Sequence, residues 1–174
     1  MKQARVLTDA EFKRLMAVVG QGRHAARNRL AFILSYQAGL RVGEIAALAL
    51  ADVLDREDQV REHLRLSATI TKGGHARIVF VNDRLRREIA AYVCTLGTTA
   101  DRKRPLLVTQ KGAGFSANTL CQLMGRIYAA TGLDGASSGL TGTKESGVGF
   151  TSVCSHASLL HAHRGYHFGL RRRS

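Results

Sequence analysis

The sequence predicts a mainly helical α+β domain with one small antiparallel sheet. Three observations carry that reading. Five segments place apolar residues at helical spacing. One stretch, residues 64–81, changes to strand-like alternation around a glycine-containing connection. The chain has 174 residues, enough for one domain with a sizeable core.

The elements follow in order. Thr8 and Glu11 stand three apart, as in a capping box that opens a helix. Phe12, Leu15, Met16 and Val19 form its apolar face, and Gly20 and Gly22 close it. Leu30, Ile33, Leu34 and Ala38 give a second helix one buried face, ended by Gly39 in the left-handed backbone that glycine accepts. A third helical pattern runs from Val42 through Ile45, Leu48 and Ala49, leaving Arg41 in the short turn between two helices. Leu64 to Ile70 alternates as a half-buried strand, and Ile78 to Val81 reads as its partner across Gly73 and Gly74. Asp83 is the expected N-cap of a helix through Leu85, Ile89, Tyr92 and Val93. Residues 97–105 form a loop, and Leu106 to Val108 a short apolar run. Ser116 caps the last helix, whose face carries Leu120, Leu123, Met124, Ile127 and Tyr128 and which stops at Gly132.

Composition narrows the function. Lys plus Arg is 26 and Asp plus Glu is 13, a net charge of +13 that suits a polyanion, most commonly nucleic acid. No stretch approaches the roughly 18 apolar residues of a membrane span, and the first residues lack a signal-peptide core. Cys94, Cys121 and Cys154 are odd in number and lack C-x-x-C spacing. They read as reduced thiols of a cytoplasmic protein, not as a disulfide frame or zinc site. There are no internal repeats and no low-complexity linker.

Arg41 by itself reads first as an ordinary solvated turn residue, and second as a guanidinium held rigidly enough to grip a phosphate. Its surroundings decide between them. Ala38-Gly39-Leu40-Arg41-Val42-Gly43-Glu44-Ile45-Ala46-Ala47-Leu48 resembles the A-G-(L/M)-R-(I/V)-(S/G)-E-(I/L)-x-x-L block of the tyrosine recombinase, or phage integrase, family. The opening L-T-x-x-E at Leu7 to Glu11 is similar to the start of that family's catalytic domain. Thr71-Lys72-Gly73-Gly74, followed by Arg77, resembles its β-hairpin.

The resemblance implies a tyrosine-recombinase-like catalytic domain over residues 1–174, well matched to about Ser138, without the family's N-terminal DNA-clamping domain. It implies double-stranded DNA as partner, a homo-oligomer on that DNA, and no metal or nucleotide cofactor. Arg41 would be one of two arginines on the scissile phosphate, and Glu44 would support the site. Lys72 would protonate the departing 5′ oxygen, a task that suits a flexible ammonium. Cys154-Ser155-His156-Ala157-Ser158-Leu159 resembles L-G-H-x-S-L, with Ser155 in the place of glycine, which makes His156 the phosphate-bonding histidine. The nucleophilic tyrosine would attack to leave a 3′-phosphotyrosyl link. In this register it falls on Gly165, and Tyr166, one residue late, is the best candidate.

The match breaks after Ser138. The H-x-x-R motif that supplies the second arginine is absent: no histidine lies between His75 and His156, and no arginine between Arg126 and Arg164. Within a helix, one extra residue rotates Tyr166 by about 100°, which in-line phosphoryl transfer does not tolerate. His161, His163 and His167 crowd the end of the chain, but H-x-H without nearby Cys or carboxylate is a weak metal signal. A reading-frame disruption after Ser138 would explain both features. Resequencing the parent gene tests it, and an intact H-x-x-R in one frame would sink it. Two further readings stay open: a non-catalytic DNA-binding remnant, and a type IB topoisomerase-like protein.

Overall fold

The computed structural model describes residues 7–71, 74–97 and 101–133. All belong to the first of the two units, residues 1–143 and 144–174, into which the chain divides. The architecture is α+β, as the sequence predicts: six helices and a two-stranded antiparallel sheet among the described residues.

Helix α1 (Asp9–Gly20) opens with the expected capping box. Glu11 N–H donates to Thr8 Oγ1 at 3.3 Å, and Thr8 N–H donates to Glu11 Oε2 at 2.9 Å. Its apolar face, Phe12, Leu15, Met16 and Val19, is the buried one.

Helix α2 (Ala25–Ala38) is the centre of the fold, packing against α1, a third helix and a fifth. The sequence predicts one buried face, but Leu30, Ala31, Phe32, Ile33 and Leu34 are all buried. A helix with neighbours on several sides must be apolar most of the way round. Gly39, at φ +60°, ends it as expected, and Leu40 N–H reaches back to the Leu34 carbonyl at 3.3 Å.

Helix α3 (Val42–Ala47) is shorter than its periodicity suggests. Leu48 turns extended, because its carbonyl accepts from Leu106 N–H at 2.8 Å and Leu50 N–H donates to the Arg104 carbonyl at 3.0 Å. Leu48 and Leu50 are both fully buried with Ala49 half-buried between them, the period of a strand. The Leu48 carbonyl and the Leu50 and Ala51 N–H groups take partners from residues 102–106, so α3 cannot run on through them. A one-turn helix α4 (Leu50–Val53), not expected from the sequence, follows and is capped by Asp52 accepting from Ala49 N–H at 2.8 Å.

Strands β1 (His63–Leu66) and β2 (Arg77–Phe80) pair antiparallel, with Leu64 opposite Val79 and Leu66 opposite Arg77. β1 stops four residues before the predicted Ile70. Ser67 Oγ bonds Thr69 Oγ1 at 2.7 Å and Ile70 N–H turns back to the Ser67 carbonyl at 3.2 Å. Short hydroxyl side chains that bond locally offer the backbone an alternative to the ladder. β2 starts one residue before the predicted Ile78, although Val81 N–H still pairs with the Glu62 carbonyl at 2.9 Å.

Helix α5 (Asp83–Thr95) is capped by Asn82, not by Asp83 as the sequence suggests. Asn82 has the extended backbone of a cap and accepts from Leu85 N–H at 2.8 Å, leaving Asp83 in the first turn. Between α5 and α6, Val108 bridges to Gly114, whose hydrogen is required: a Cβ there would lie 2.9 Å from Pro105 Cγ. Helix α6 (Ala117–Ala130) is capped by Ser116 as predicted and followed by Gly132 at φ +66°. It packs on α3 and α1, with Tyr128 edge-on to Phe32 at 5.1 Å.

Candidate functional site

The α2–α3 turn and the start of β2 meet on one carboxylate. Glu44 lies in the first turn of α3, and its side chain is only 1% exposed. An isolated buried carboxylate is costly, so it must be paired. Its partners are two guanidiniums and a backbone N–H. Arg41 N–H donates to Glu44 Oε2 at 2.8 Å, and Arg41 Nη1 donates to Oε1 at 3.3 Å. Arg77, from the first position of β2, donates Nη2 to Oε2 at 2.6 Å. The same Nη2 reaches the Gly39 carbonyl at 3.2 Å.

This geometry holds Arg41 by its backbone rather than by its charged end. The residue is the N-cap of α3, with its N–H consumed by Glu44. Its side chain stays 40% exposed, with one long contact to the carboxylate. Two guanidiniums against one carboxylate leave an excess of one positive charge at the surface. A half-exposed, always-charged fork on a rigid base can take an anion with planar, two-pronged geometry, which describes a phosphodiester.

Of the residues singled out from the sequence, Arg41 and Glu44 are brought together. Lys72, His156 and Tyr166 lie outside the described residues. The flanks of Lys72 are described: Gly74 N–H donates to the Thr71 carbonyl at 3.1 Å, and Thr71 Oγ1 donates to the His75 carbonyl at 2.8 Å. The sequence places Arg77 in the hairpin motif without assigning it a role. Its signal was its place at the start of a strand beside a glycine turn, and only the fold reveals the buried carboxylate opposite.

A second arginine is structural. Arg27 is buried, bonded to the Val108 carbonyl at 3.1 Å and to Asn28 Oδ1 at 2.9 and 3.0 Å, and lies over the Phe115 ring at 5.0 Å. Burial pulls its pKa down from the usual arginine range. Arg29 and Glu88 form a bidentate pair at 2.8 and 2.5 Å that ties α2 to α5 and holds the Glu88 carboxyl below its ordinary range. The open groove along α6, lined by Asn118, Cys121, Gln122, Gly125 and Arg126, does not include Arg41 or Glu44. Among the described residues no cluster of His, Cys, Asp or Glu could hold a metal, and no helix is long and apolar enough to cross a membrane. Cys94 and Cys121 are free thiols.

Comparison with known proteins agrees with the fold. Residues 5–141 match the profile of the phage integrase family. The tyrosine recombinase XerD of Rickettsia conorii is 30% identical over 106 residues, which covers 60% of this chain and 35% of that protein. The tyrosine recombinase XerC of Rhodospirillum centenum is 32% identical over 107 residues, covering 62% of this chain and 29% of that one. The matched stretch is thus about a third of the length of these relatives. Among solved structures, XerA recombinase superposes with a TM-score of 0.61 at 19% identity, covering 80% of this chain and 48% of that chain. Lambda integrase bound to DNA superposes with a TM-score of 0.54 at 17% identity, covering 80% of this chain and 51% of that one. At such identities the superpositions speak to the fold alone.

Proposed function

The chain belongs to the phage integrase family and has the fold of a tyrosine recombinase catalytic domain. From that premise we propose that it binds double-stranded DNA and serves site-specific recombination. The observation that carries the reading is the Arg41 guanidinium, held half-exposed on a buried Glu44. The net charge of +13 supports a polyanionic partner. So does the likeness in fold to an integrase whose structure holds DNA.

In the proposed reaction Arg41 grips the scissile phosphate and neutralises charge that grows on its oxygens. Tyr166 attacks phosphorus, the bond to the 5′ oxygen breaks, and a 3′-phosphotyrosyl link remains. Lys72 gives its proton to the departing 5′ oxygen, and His156 bonds the phosphate. The 5′ hydroxyl of a partner strand then reverses the step. Strand exchange requires several protomers on the DNA, and the parent gene would belong to a mobile element acting in the cytoplasm.

A specific observation favours a second reading, a DNA-binding remnant without chemistry. Between Ser138 and the Cys154–Leu159 block, where the family carries H-x-x-R, the chain has neither a histidine nor an arginine, and its tyrosine stands one residue out of register. A nicked suicide duplex separates the two. A covalent protein–DNA band on a denaturing gel, lost in Tyr166→Phe and in Arg41→Ala, supports the enzyme. Salt-sensitive binding with no band supports the remnant. Neither a band nor binding overturns both.

A further inference from the structure

Arg77 touches both anchors of the turn that carries Arg41. Its Nη2 has two hydrogens. One goes to Glu44 Oε2 at 2.6 Å, the other to the Gly39 carbonyl at 3.2 Å. Gly39 is the left-handed residue that ends α2, and Glu44 is the carboxylate that holds the Arg41 N–H. We propose that Arg77 is a positioning residue, which leaves the Arg41 guanidinium free for a phosphate by satisfying Glu44 in its place. The proposal rests on reading Arg41 as a phosphate ligand.

The distances decide which arginine holds the carboxylate. At 2.6 Å the Arg77 contact is short even for a charge-assisted hydrogen bond, whereas Arg41 Nη1 stands off at 3.3 Å. Glu44 is 1% exposed and has little water to share its charge. With Arg77 present, that charge is answered from the β2 side, and Arg41 is engaged chiefly through its backbone. Without Arg77, the remaining cation paired with Glu44 among the described residues is Arg41 itself. Its guanidinium would be drawn onto Glu44, and the local excess of positive charge would vanish. A phosphate would then compete with a buried carboxylate for the same fork.

Position in the chain adds a second consequence. Arg77 opens β2, opposite Leu66 and just after the connection that contains Lys72. The contact with Glu44 therefore fixes where the hairpin stands relative to the Arg41 turn. Lysine could supply the charge and the hydrogens, but its strongly hydrated ammonium on a flexible stem is held less rigidly between Glu44 and Gly39 than a planar guanidinium.

The test uses the full chain with Arg77→Ala, Arg77→Lys, Arg41→Ala and the double alanine variant. In the free protein, the ¹H–¹⁵N signal of the Arg41 Nε, identified by its loss in Arg41→Ala, reports the state of that guanidinium. Arg77→Ala is expected to shift it and slow its hydrogen exchange, and Arg77→Lys to restore part of the change. Binding to a labelled duplex at two salt concentrations gives the second readout. Arg77→Ala is expected to lose the same factor in affinity as Arg41→Ala, and the double variant no more than either alone. An unchanged Arg41 signal, or losses that multiply, overturns the proposal. If the unmutated chain binds no DNA, the functional reading falls, while the Arg41 signal still decides the positioning role. Should Arg77→Ala not fold, Arg77→Lys carries the comparison, since it keeps the charge and loses only the rigid planar guanidinium.

Discussion

The α2–α3 turn and the β1–β2 hairpin both end on Glu44, yet they are held by opposite means. The turn is made by its own residues. Gly39 takes the left-handed backbone, Leu40 and Ile45 are fully buried on either side, and the Arg41 carbonyl accepts from Ile45 N–H at 2.9 Å. The hairpin has two strands of four residues, and only Leu64, Leu66 and Val79 face the core. Its outer face carries Ile78 and Phe80 at 56% and 61% exposed. A two-stranded hairpin of that size is marginal alone. It is steadied by α4, by Arg61 N–H on the Val53 carbonyl at 2.9 Å, and by Arg77 on Glu44. The difference teaches that order runs from the turn to the hairpin, and that one buried carboxylate transmits it.

The largest test removes that carboxylate. Glu44→Ala is expected to cost about 3 kcal/mol, the lower end for breaking a buried pair, because both arginines it abandons can reach water. Urea unfolding measures it. A cost below about 1 kcal/mol would mean that the hairpin stands without the turn.

A somewhat smaller effect probes the helical side alone. Burial pushes the Tyr128 phenol up to about 12 from 10.0. The unfolded chain therefore releases that proton near pH 10, while the folded chain keeps it to about pH 12. Above pH 10 the unfolded state binds fewer protons, so this stability is intact below pH 10 and lost as pH rises towards 12. The two-unit shift is worth about 2–3 kcal/mol. Unfolding followed from pH 9 to 12 is expected to fall less steeply in Tyr128→Phe by that amount. Equal slopes would place Tyr128 in contact with water.

The smallest effect divides the two faces of β2. Ile78→Thr, on the exposed face, is expected to stay within about 0.5 kcal/mol. Val79→Thr, which buries a hydroxyl, is expected to cost about 1–3 kcal/mol. Comparable costs for the two would show that the outer face is covered in solution.

The helices were the legible part. Capping residues and apolar spacing act within a few positions, so Thr8, Gly39 and Ser116 could be read directly, and Asn82 was missed by one residue. Strand limits were less legible. Ser67 and Thr69 stop β1 by bonding each other, a choice that alternation does not show. The break at Leu48 was invisible, because Leu106, which bonds Leu48, and Arg104, which bonds Leu50, lie more than fifty residues away in sequence. In the site, Arg41 and Glu44 stand three apart on one turn and were found together. Arg77 lies thirty-three residues from Glu44, and its role needed the fold.

By itself, then, the sequence determined the helical frame, the basic character of the chain, the family, and the rigid placement of Arg41. These follow from local backbone preferences, net charge and a motif confined to one turn. Only the tertiary structure decided that α2 would be buried nearly all round, that residues 48–49 would leave the helix, and that Arg77 would share Glu44 with Arg41. Each of these depends on a buried backbone or charged group finding its partner from a distant part of the chain, and burial makes an unpartnered one too costly to keep.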